Sequence, residues 1–255
     1  MNLTNWLTAA EGIAREAAQV ILEVYATDFT VQGKADTSPV TEADERAERL
    51  ITPALLRLAP DVPVVAEEAV SRGEVPAIGQ RFWLVDPLDG TREFVSRNGE
   101  FTVNIALIED GVPVLGVVLQ PVGQVLYSGL LGQGAWCQRG LQGAREPIRC
   151  RAVPAEGVLV AGSRSHGDEA AMQAWLNGRP VAGRVAAGSS LKFGLVAAGQ
   201  ADLYPRLGRT MEWDTAAGHA VVLAAGGAVN DLHGQPLRYG KSGFENPHFV
   251  AQGWR

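Results

Sequence analysis

Cysteine and histidine are scarce in this chain, and their scarcity limits the kinds of site it can build. Its 255 residues include two cysteines and four histidines. Cys137 and Cys150 form no Cys-x-x-Cys pair and have no histidine beside them, so neither a disulfide framework nor a zinc site is indicated. We expect both thiols to be reduced and to take no part in a metal site.

Long apolar runs and an excess of basic residues are missing as well. No segment is long enough and free enough of charge to span a bilayer, and the first residues do not resemble a secretory signal, so we expect a cytoplasmic protein. The formal net charge of −6 argues against polymeric nucleic acid as a ligand, because proteins that bind it usually present a basic face. This charge does not exclude a small anionic substrate, since bound divalent cations reverse the sign of a site locally.

The periodicity of apolar residues predicts an α+β half followed by an α/β half. Helices are predicted over residues 4–25 and 41–58, and a meander of strands follows them. From about Val153 short strands alternate with helices, which is typical of an α/β arrangement. We therefore divide the chain into residues 1–134 and residues 135–255.

The stretch WLVDPLDGTREFVSRNGEFTVN contains the clearest chemical signal. Its apolar start predicts a buried strand that stops at Asp86 and Pro87. Pro87 fixes its own φ and restricts Asp86 to extended geometry, so the carboxylates of Asp86 and Asp89 can turn toward one point. Two carboxylates held that close repel each other unless a cation lies between them. The pair therefore predicts a cation site at the end of a strand.

The next residues predict a place for a phosphate beside that cation. Gly90 lets a ligand approach the backbone, and the helical turn predicted from Thr91 offers free N–H groups to an anion. Two other interpretations of DPLDGT stay open from the residues alone. Asp-Pro and Asp-Gly are common turn pairs that need no metal. A phosphatase class with an aspartate nucleophile uses a D-x-D-G-T loop, from which this chain differs by one extra residue between the acids.

Further acids stand at other element boundaries. Glu67 and Glu68 end a short strand, and only one of them can face a shared site, because adjacent side chains of an extended backbone point to opposite faces. Asp44 has a structural explanation beside a functional one, since it can form a capping box with Thr41. Asp214 likewise can be explained as a helix N-cap. Oxygen ligands without histidine or cysteine suit Mg²⁺ or Mn²⁺ rather than zinc. Two such ions about 3.5–4 Å apart would hold a phosphate and polarise a water.

Three motifs are the basis of a family resemblance: WLVDPLDGT, the Glu-Glu pair upstream, and the late WDTAAG. They resemble those of the inositol monophosphatase-like, Mg²⁺-dependent, lithium-sensitive phosphomonoesterases, over most of the chain. DGTREFVSRNGEFTVNIALI and the segment from GSSLKFGLVAAG to WDTAAGHAVVLAAGG resemble more narrowly the bacterial 3′(2′),5′-bisphosphate nucleotidases. Those enzymes remove the 3′-phosphate of adenosine 3′,5′-bisphosphate left over from sulfate activation. Inositol-specific members typically carry Asn-Phe after the DGT.

The resemblance implies a layered α/β/α/β sandwich and phosphomonoester hydrolysis by metal-activated water without a covalent intermediate. It implies that two or three Mg²⁺ ions, with Mn²⁺ as a substitute, are held by Glu67, Asp86, the carbonyl of Leu88, Asp89 and Asp214. Thr91 and Glu67 would orient and activate the water, with Asp44 near that water or a third ion. One departure is Ala66, where relatives usually have Gly or Ser, and it removes no ligand.

The same resemblance implies contacts to the substrate. The backbone N–H groups of Gly90 and Thr91 would hold the scissile phosphate. The rest of the nucleotide would meet residues of the second half: Ser189, Ser190 and Lys192, with His166 and Arg206 as weaker candidates. Ser189 or Ser190 is also expected to cap a helix that reaches Ala198.

Two rival functions stay open. The first, within the same chemistry, is an inositol monophosphatase or a broad sugar phosphatase. The second is a non-catalytic metal- or nucleotide-binding module, which predicts loss of the water-activating groups, although Glu67 and Thr91 are both present. The oligomeric state, a homodimer included, is left open by the sequence.

Overall fold

The computed structural model describes residues 2–29, 31–33, 39–163 and 169–253. It begins with helix α1 (Leu3–Tyr25), the paired strands β1 (Val31–Gly33) and β2 (Pro39–Thr41), and helix α2 (Glu42–Leu58). Both helices bury small and aliphatic residues at helical spacing and form one core with the first large sheet. Pro53 lies inside α2, which continues across it to Leu58.

A sheet of seven strands follows, with two short helices at the ends of its first two strands. Its elements are β3 (Val64–Ala66), α3 (Glu67–Ser71), β4 (Arg81–Asp89), α4 (Thr91–Val95), β5 (Thr102–Glu109), β6 (Val112–Gln120), β7 (Val125–Leu130), β8 (Gly134–Arg139) and β9 (Arg145–Ile148). The strands lie in chain order, and all neighbours are antiparallel except the parallel β3 and β4. This order confirms the predicted meander.

The second sheet has five strands in the order β11-β10-β12-β14-β13. This half contains β10 (Val158–Gly162), α5 (Glu169–Leu176), β11 (Val181–Ala186), α6 (Leu191–Ala197), β12 (Leu203–Arg206), α7 (Glu212–Ala224), β13 (Ala228–Asp231) and β14 (Phe249–Gln252). Strand β10 is parallel to both its neighbours, whereas β14 is antiparallel to β12 and β13.

Helix α7 lies between the two sheets and contacts strands of both. Glycines of the first sheet allow this close approach. A Cβ added to Gly116 would lie 2.2 Å from the carbonyl oxygen of Ala217, and one added to Gly129 would lie 2.8 Å from Cα of Val221. The layers are therefore helices α1 and α2, the seven-stranded sheet, helices α6 and α7, and the five-stranded sheet. The predicted α/β/α/β sandwich is confirmed.

The first sheet extends beyond the boundary expected after residue 134. Strands β8 and β9 follow that position and pair with β7 and with each other. We therefore propose that the first structural half runs to Ile148, with the second sheet beginning at β10. No helix in the part of the chain that the structure describes is both long enough and apolar enough to cross a membrane.

Both cysteines lie in the core that α7 shares with the two sheets. Burial raises the pKa of Cys137, and it raises the pKa of Cys150 to about 12. A thiol with a raised pKa is rarely ionised near neutral pH, and the thiolate is the reactive form and the metal ligand. These thiols are therefore unsuited to metal chemistry.

Candidate active site

A cavity of about 300 Å³ opens where the acid-bearing ends of both halves meet. Its walls come from the ends of β4, α3, α4, α6, β12 and α7. The lining residues are Glu67, Asp89, Gly90, Thr91, Arg92, Glu93, Ser163, Ser189, Ser190, Lys192, Phe193, Tyr204, Arg206, Thr210, Asp214 and Thr215. Most of the residues singled out from the sequence are thus brought to one place.

The Asp86 to Gly90 segment is irregular because the pairing of β4 with β5 shifts between Asp86 and Asp89. Asp86 is buried beneath the cavity wall, and its Oδ1 accepts the Leu88 amide at 3.0 Å. Gly90 has φ +90°, and a Cβ at this position would lie 2.0 Å from Oγ of Ser189. Only glycine satisfies both conditions, so Gly90 permits the close contact between the two halves.

Thr91 and Asp44 are hydrogen-bonded to each other. The Thr91 hydroxyl donates to Oδ1 of Asp44 at 3.2 Å, and the carbonyl of Leu88 lies 3.5 Å away. The other Asp44 oxygen accepts the amide and the hydroxyl of Thr41, at 2.8 Å and 2.6 Å. The predicted capping box of α2 is confirmed. One buried carboxylate therefore both caps a helix and orients Thr91.

Only one of the two glutamates after β3 lines the cavity, as expected, but the expected extended backbone is wrong, because both are the first residues of helix α3. Glu67 begins α3 and lines the cavity. Glu68 is buried on the other side, with 3% of its surface exposed, and its amide donates to Oε2 of Glu48 at 2.7 Å. Of the pair, Glu67 is the residue available to the site.

Asp214 lies in the first turn of α7 but does not cap it in the expected way. The N-cap is Met211, and Oδ2 of Asp214 accepts the Met211 amide at 2.8 Å from the N3 position. The N-cap prediction is therefore corrected to the reciprocal half of a capping box. Because only one of its carboxylate oxygens has this role, the geometry leaves the other for the cavity.

Burial and mutual repulsion act on the acids of the cavity. Burial, with Asp89 and Glu67 nearby, raises the pKa of Asp214 well above its usual range. Burial also raises the pKa of Asp89, against the opposing influence of Lys192 and a hydrogen bond from Ser190. The carboxylates of Glu67, Asp89 and Asp214 thus repel one another, which costs folding free energy. A bound cation would offset that repulsion.

The turn at Ser189 and Ser190 connects the two halves through its hydroxyls. Ser189, with φ +47°, donates to the carbonyl of Asp89 at 2.8 Å. Ser190 donates to the carbonyl of Asp214 at 2.7 Å and accepts from the amide of Asn104 at 2.9 Å. Neither hydroxyl caps α6, whose N-cap residue Ser190 makes no side-chain capping bond. The capping prediction is wrong because both hydroxyls are oriented by tertiary contacts instead of by the first amides of α6.

Two cations of the second half line the cavity, and they differ in how many donors remain available. Lys192 is buried, and its ammonium donates to the carbonyls of Ala187 and Ser189 at 3.1 Å and 2.7 Å. Burial lowers its pKa to about 8. Arg206 donates to the carbonyl of Arg209 at 3.3 Å, and its Nε is buried with no acceptor among the described residues. Arg206 therefore has more N–H groups left for a ligand.

Some residues of the site were not found from the sequence, and one lies outside the described part. His166 falls among residues 164–168, which the structure does not describe. Asn104 could have been suspected, because it is a buried amide in an otherwise apolar strand. Four further lining residues lie within the motifs quoted from the sequence but were not assigned a role there: Arg92, Glu93, Phe193 and Thr215. The remaining lining residues lie outside those quoted motifs: Ser163, Tyr204 and Thr210.

The donor set of the cavity fits a hard divalent cation. Glu67, Asp89 and Asp214 supply carboxylates, and neither histidine nor cysteine is among the lining residues described. Within the described ranges, no three acidic, histidine or cysteine side chains are already gathered into a metal-binding group.

Comparison with known proteins gives one family by sequence and by structure. The family model described as the inositol monophosphatase family matches residues 2–253. A relative from Escherichia coli (strain K12), 3′(2′),5′-bisphosphate nucleotidase CysQ, is 51% identical over 240 residues, which are 93% of this chain and 95% of that protein. The crystal structure of CysQ from Bacteroides thetaiotaomicron has a TM-score of 0.82 and 37% identity, and the match covers 98% of both chains.

A more distant solved structure shares the fold. The inositol monophosphatase from Zymomonas mobilis has a TM-score of 0.79 and 28% identity, with 100% of this chain and 95% of that chain covered. Sequence motifs, layered architecture and relatives therefore agree. This chain belongs to the inositol monophosphatase family.

Proposed function

We propose that this chain is a Mg²⁺-dependent phosphomonoesterase that removes the 3′-phosphate of adenosine 3′,5′-bisphosphate to give AMP and phosphate. The observation that supports it best is one cavity lined, among the described residues, by four carboxylates, three cations and Thr91, whose hydroxyl donates to the buried Asp44. The 51% identity to a 3′(2′),5′-bisphosphate nucleotidase supports the choice of substrate.

The residues proposed to hold two or three Mg²⁺ ions, or Mn²⁺ in their place, are Glu67, Asp86, the Leu88 carbonyl, Asp89 and Asp214. When bound, such ions offset the carboxylate charge, bind phosphate oxygens and make a water more acidic. Glu67, Asp89 and Asp214, together with the other lining acid Glu93, supply the negative field that selects a divalent cation.

Thr91 and Glu67 are proposed to orient the attacking water. The single hydroxyl hydrogen of Thr91 is directed to Asp44, which leaves the oxygen as an acceptor. Glu67 offers a second acceptor from the same cavity wall. A water that donates one hydrogen to each has its lone pair free to attack phosphorus. Attack by water is favoured over attack by Ser189 or Ser190 as a covalent nucleophile. Both serine hydroxyls donate to backbone carbonyls, so neither is directed to a base that could remove its proton.

The second half is proposed to recognise the 5′ end of the nucleotide. The backbone N–H groups of Gly90 and Thr91 would hold the scissile phosphate, while Arg206 and the remaining hydrogen of Lys192 would meet the other phosphate. The Nε of Arg206 supports this assignment, since it has no acceptor among the residues that the structure describes and a buried donor without an acceptor is costly. Tyr204 and Phe193 add apolar surface between the two charged regions.

We predict that saturating Mg²⁺ activates turnover and that excess chelator abolishes it. With Mg²⁺, kcat/KM for adenosine 3′,5′-bisphosphate should exceed that for inositol 1-phosphate by about 10- to 100-fold, the value of one charge-assisted hydrogen bond. Release of phosphate from both compounds, measured side by side, checks this. Equal or reversed values would favour an inositol monophosphatase or a broad sugar phosphatase. Cation binding without turnover of any phosphomonoester would favour the non-catalytic module.

Arg206→Met tests the contact to the second phosphate. We expect kcat/KM for the bisphosphate to fall by about 10- to 100-fold and kcat/KM for inositol 1-phosphate to change far less. Lys192→Met is the comparison in the same cavity. It removes donors from the carbonyls of Ala187 and Ser189, so both substrates and the melting temperature should be affected. Equal losses on both substrates for Arg206→Met would assign Arg206 to the support of the cavity wall.

A further inference from the structure

We propose that Glu48 is a positioning residue that fixes the orientation of Glu67 toward the cavity. Glu48 lies on α2 and is 5% exposed. Its Oε2 accepts the Glu68 amide at 2.7 Å, and its Oε1 pairs with Arg72 at 3.2 Å. This inference rests on the proposed function, since Glu67 is assigned there to the cation and the water.

The contact acts on Glu67 through a rigid peptide unit. The amide of Glu68 and the Cα of Glu67 belong to the same planar group, so holding the N–H also holds Glu67. The N-cap of α3 is Ala66, whose side chain makes no capping bond. The first amides of a helix need an acceptor from elsewhere. Glu48 supplies it with a carboxylate, which forms shorter and stronger bonds than a neutral acceptor.

Asp44 and Glu48 are four residues apart on α2 and lie on the same face of the helix. Asp44 holds the hydroxyl of Thr91, and Glu48 holds the amide that follows Glu67. One helical turn of α2 therefore sets the relative placement of the two groups proposed to orient water. A change at Glu48 should disturb Glu67 while Thr91 stays in place.

The alternative is that Glu48 serves only as a buried partner of Arg72, and the chain provides a matched control for that alternative. Glu11 lies on α1, is 6% exposed and pairs with Arg145 at 3.2 Å. It resembles Glu48 in burial and in its ion pair, and neither residue lines the cavity, but Glu48 also binds the amide next to Glu67. Glu11→Met thus measures the cost of losing a buried Glu–Arg pair alone.

The experiment compares Glu48→Met with Glu11→Met in the full chain, because methionine is close to glutamate in length and has no oxygen to accept the Glu68 amide. Mn²⁺ affinity is measured by calorimetry or electron paramagnetic resonance, and kcat and KM are measured with Mg²⁺. We expect Glu48→Met to weaken Mn²⁺ binding and kcat by about 10- to 100-fold, as loss of a group that orients a metal ligand does. Glu11→Met should lower the melting temperature and leave both quantities within about threefold.

Arg72→Ala separates the two contacts of Glu48. It removes the ion pair and keeps the Glu68 contact, so Mn²⁺ affinity should stay within about threefold of wild type. Equal effects of Glu48→Met and Glu11→Met, or a loss of Mn²⁺ affinity in Arg72→Ala as large as in Glu48→Met, would overturn the positioning role. A wild-type protein that binds no Mn²⁺ and hydrolyses no phosphomonoester would instead overturn the proposed function itself.

Discussion

Asp214→Asn should strongly reduce cation-dependent turnover and at the same time make the cation-free protein more heat-stable. Burial and the neighbouring Asp89 and Glu67 raise the pKa of Asp214 well above its usual range. A carboxyl whose pKa is raised by folding releases its proton more readily when unfolded, so it destabilises the fold above its unfolded pKa. Asparagine removes that repulsion, and its oxygen can still accept the Met211 amide. The carboxylate proposed to support turnover is thus the same one that destabilises the cation-free fold.

Melting curves and phosphate release check this result. With one ligand charge lost, kcat should fall by roughly 10²- to 10³-fold, the effect of removing one preorganised electrostatic contact. In excess chelator the melting temperature should rise by about 2–4 °C for each kcal/mol of relieved repulsion. Added Mg²⁺ should stabilise the wild type and leave the variant nearly unchanged.

Asp202→Asn is the control, and for this variant the melting temperature should change in the opposite direction. Asp202 is buried, which acts to raise its pKa, but hydrogen bonds from Arg151 and the Leu159 amide outweigh burial and lower it. A lowered pKa stabilises the fold above the unfolded value. Asp202→Asn should therefore reduce the melting temperature and preserve turnover. A drop in melting temperature for Asp214→Asn in chelator would contradict the repulsion inferred for the cavity.

The part of the site that could be predicted from the sequence is the part held by local geometry. Asp86, Asp89, Gly90 and Thr91 are close in the chain, and a strand end followed by a helical turn places them with few alternatives. The capping box of Asp44 is equally local, since its partner Thr41 lies one helical turn away. Such short-range relations depend on backbone rules that apply in any fold.

The remaining features depend on contacts between distant segments. Asn104 and Ser190 meet only because β5 and the start of α6 come together across the two halves. The same contact directs the hydroxyl of Ser190 to Asp214 rather than to the amides of α6. Strands β8 and β9 likewise join the first sheet by pairing, which no local pattern specifies. Sequence patterns give the elements, whereas the choice among competing partners requires the assembled layers.

Thr91→Val should lower kcat by about 10²- to 10⁴-fold with little change in KM, a range typical of lost assistance to proton transfer. Valine keeps the shape of threonine but removes the oxygen that Asp44 orients. The carboxylates proposed to bind the cation are untouched, so Mn²⁺ affinity should stay within about threefold of wild type. Steady-state kinetics with Mg²⁺ and calorimetry with Mn²⁺ on the same preparations separate the two effects.

Thr91→Ser and Asp44→Asn decide whether orientation of the hydroxyl is the cause. Serine retains the hydroxyl and should restore most of kcat.

Asparagine at position 44 keeps one oxygen acceptor and exchanges the other for an NH₂ group. Because Asp44 oxygens now serve both Thr91 and the Thr41 amide, one of these contacts must be lost. If the oxygen stays with Thr41, the Thr91 hydroxyl turns away and kcat falls. If it stays with Thr91, α2 loses its cap and the melting temperature falls while kcat is retained. A Thr91→Val variant that raises KM and keeps kcat would show instead that Thr91 binds the phosphate and does not orient the water.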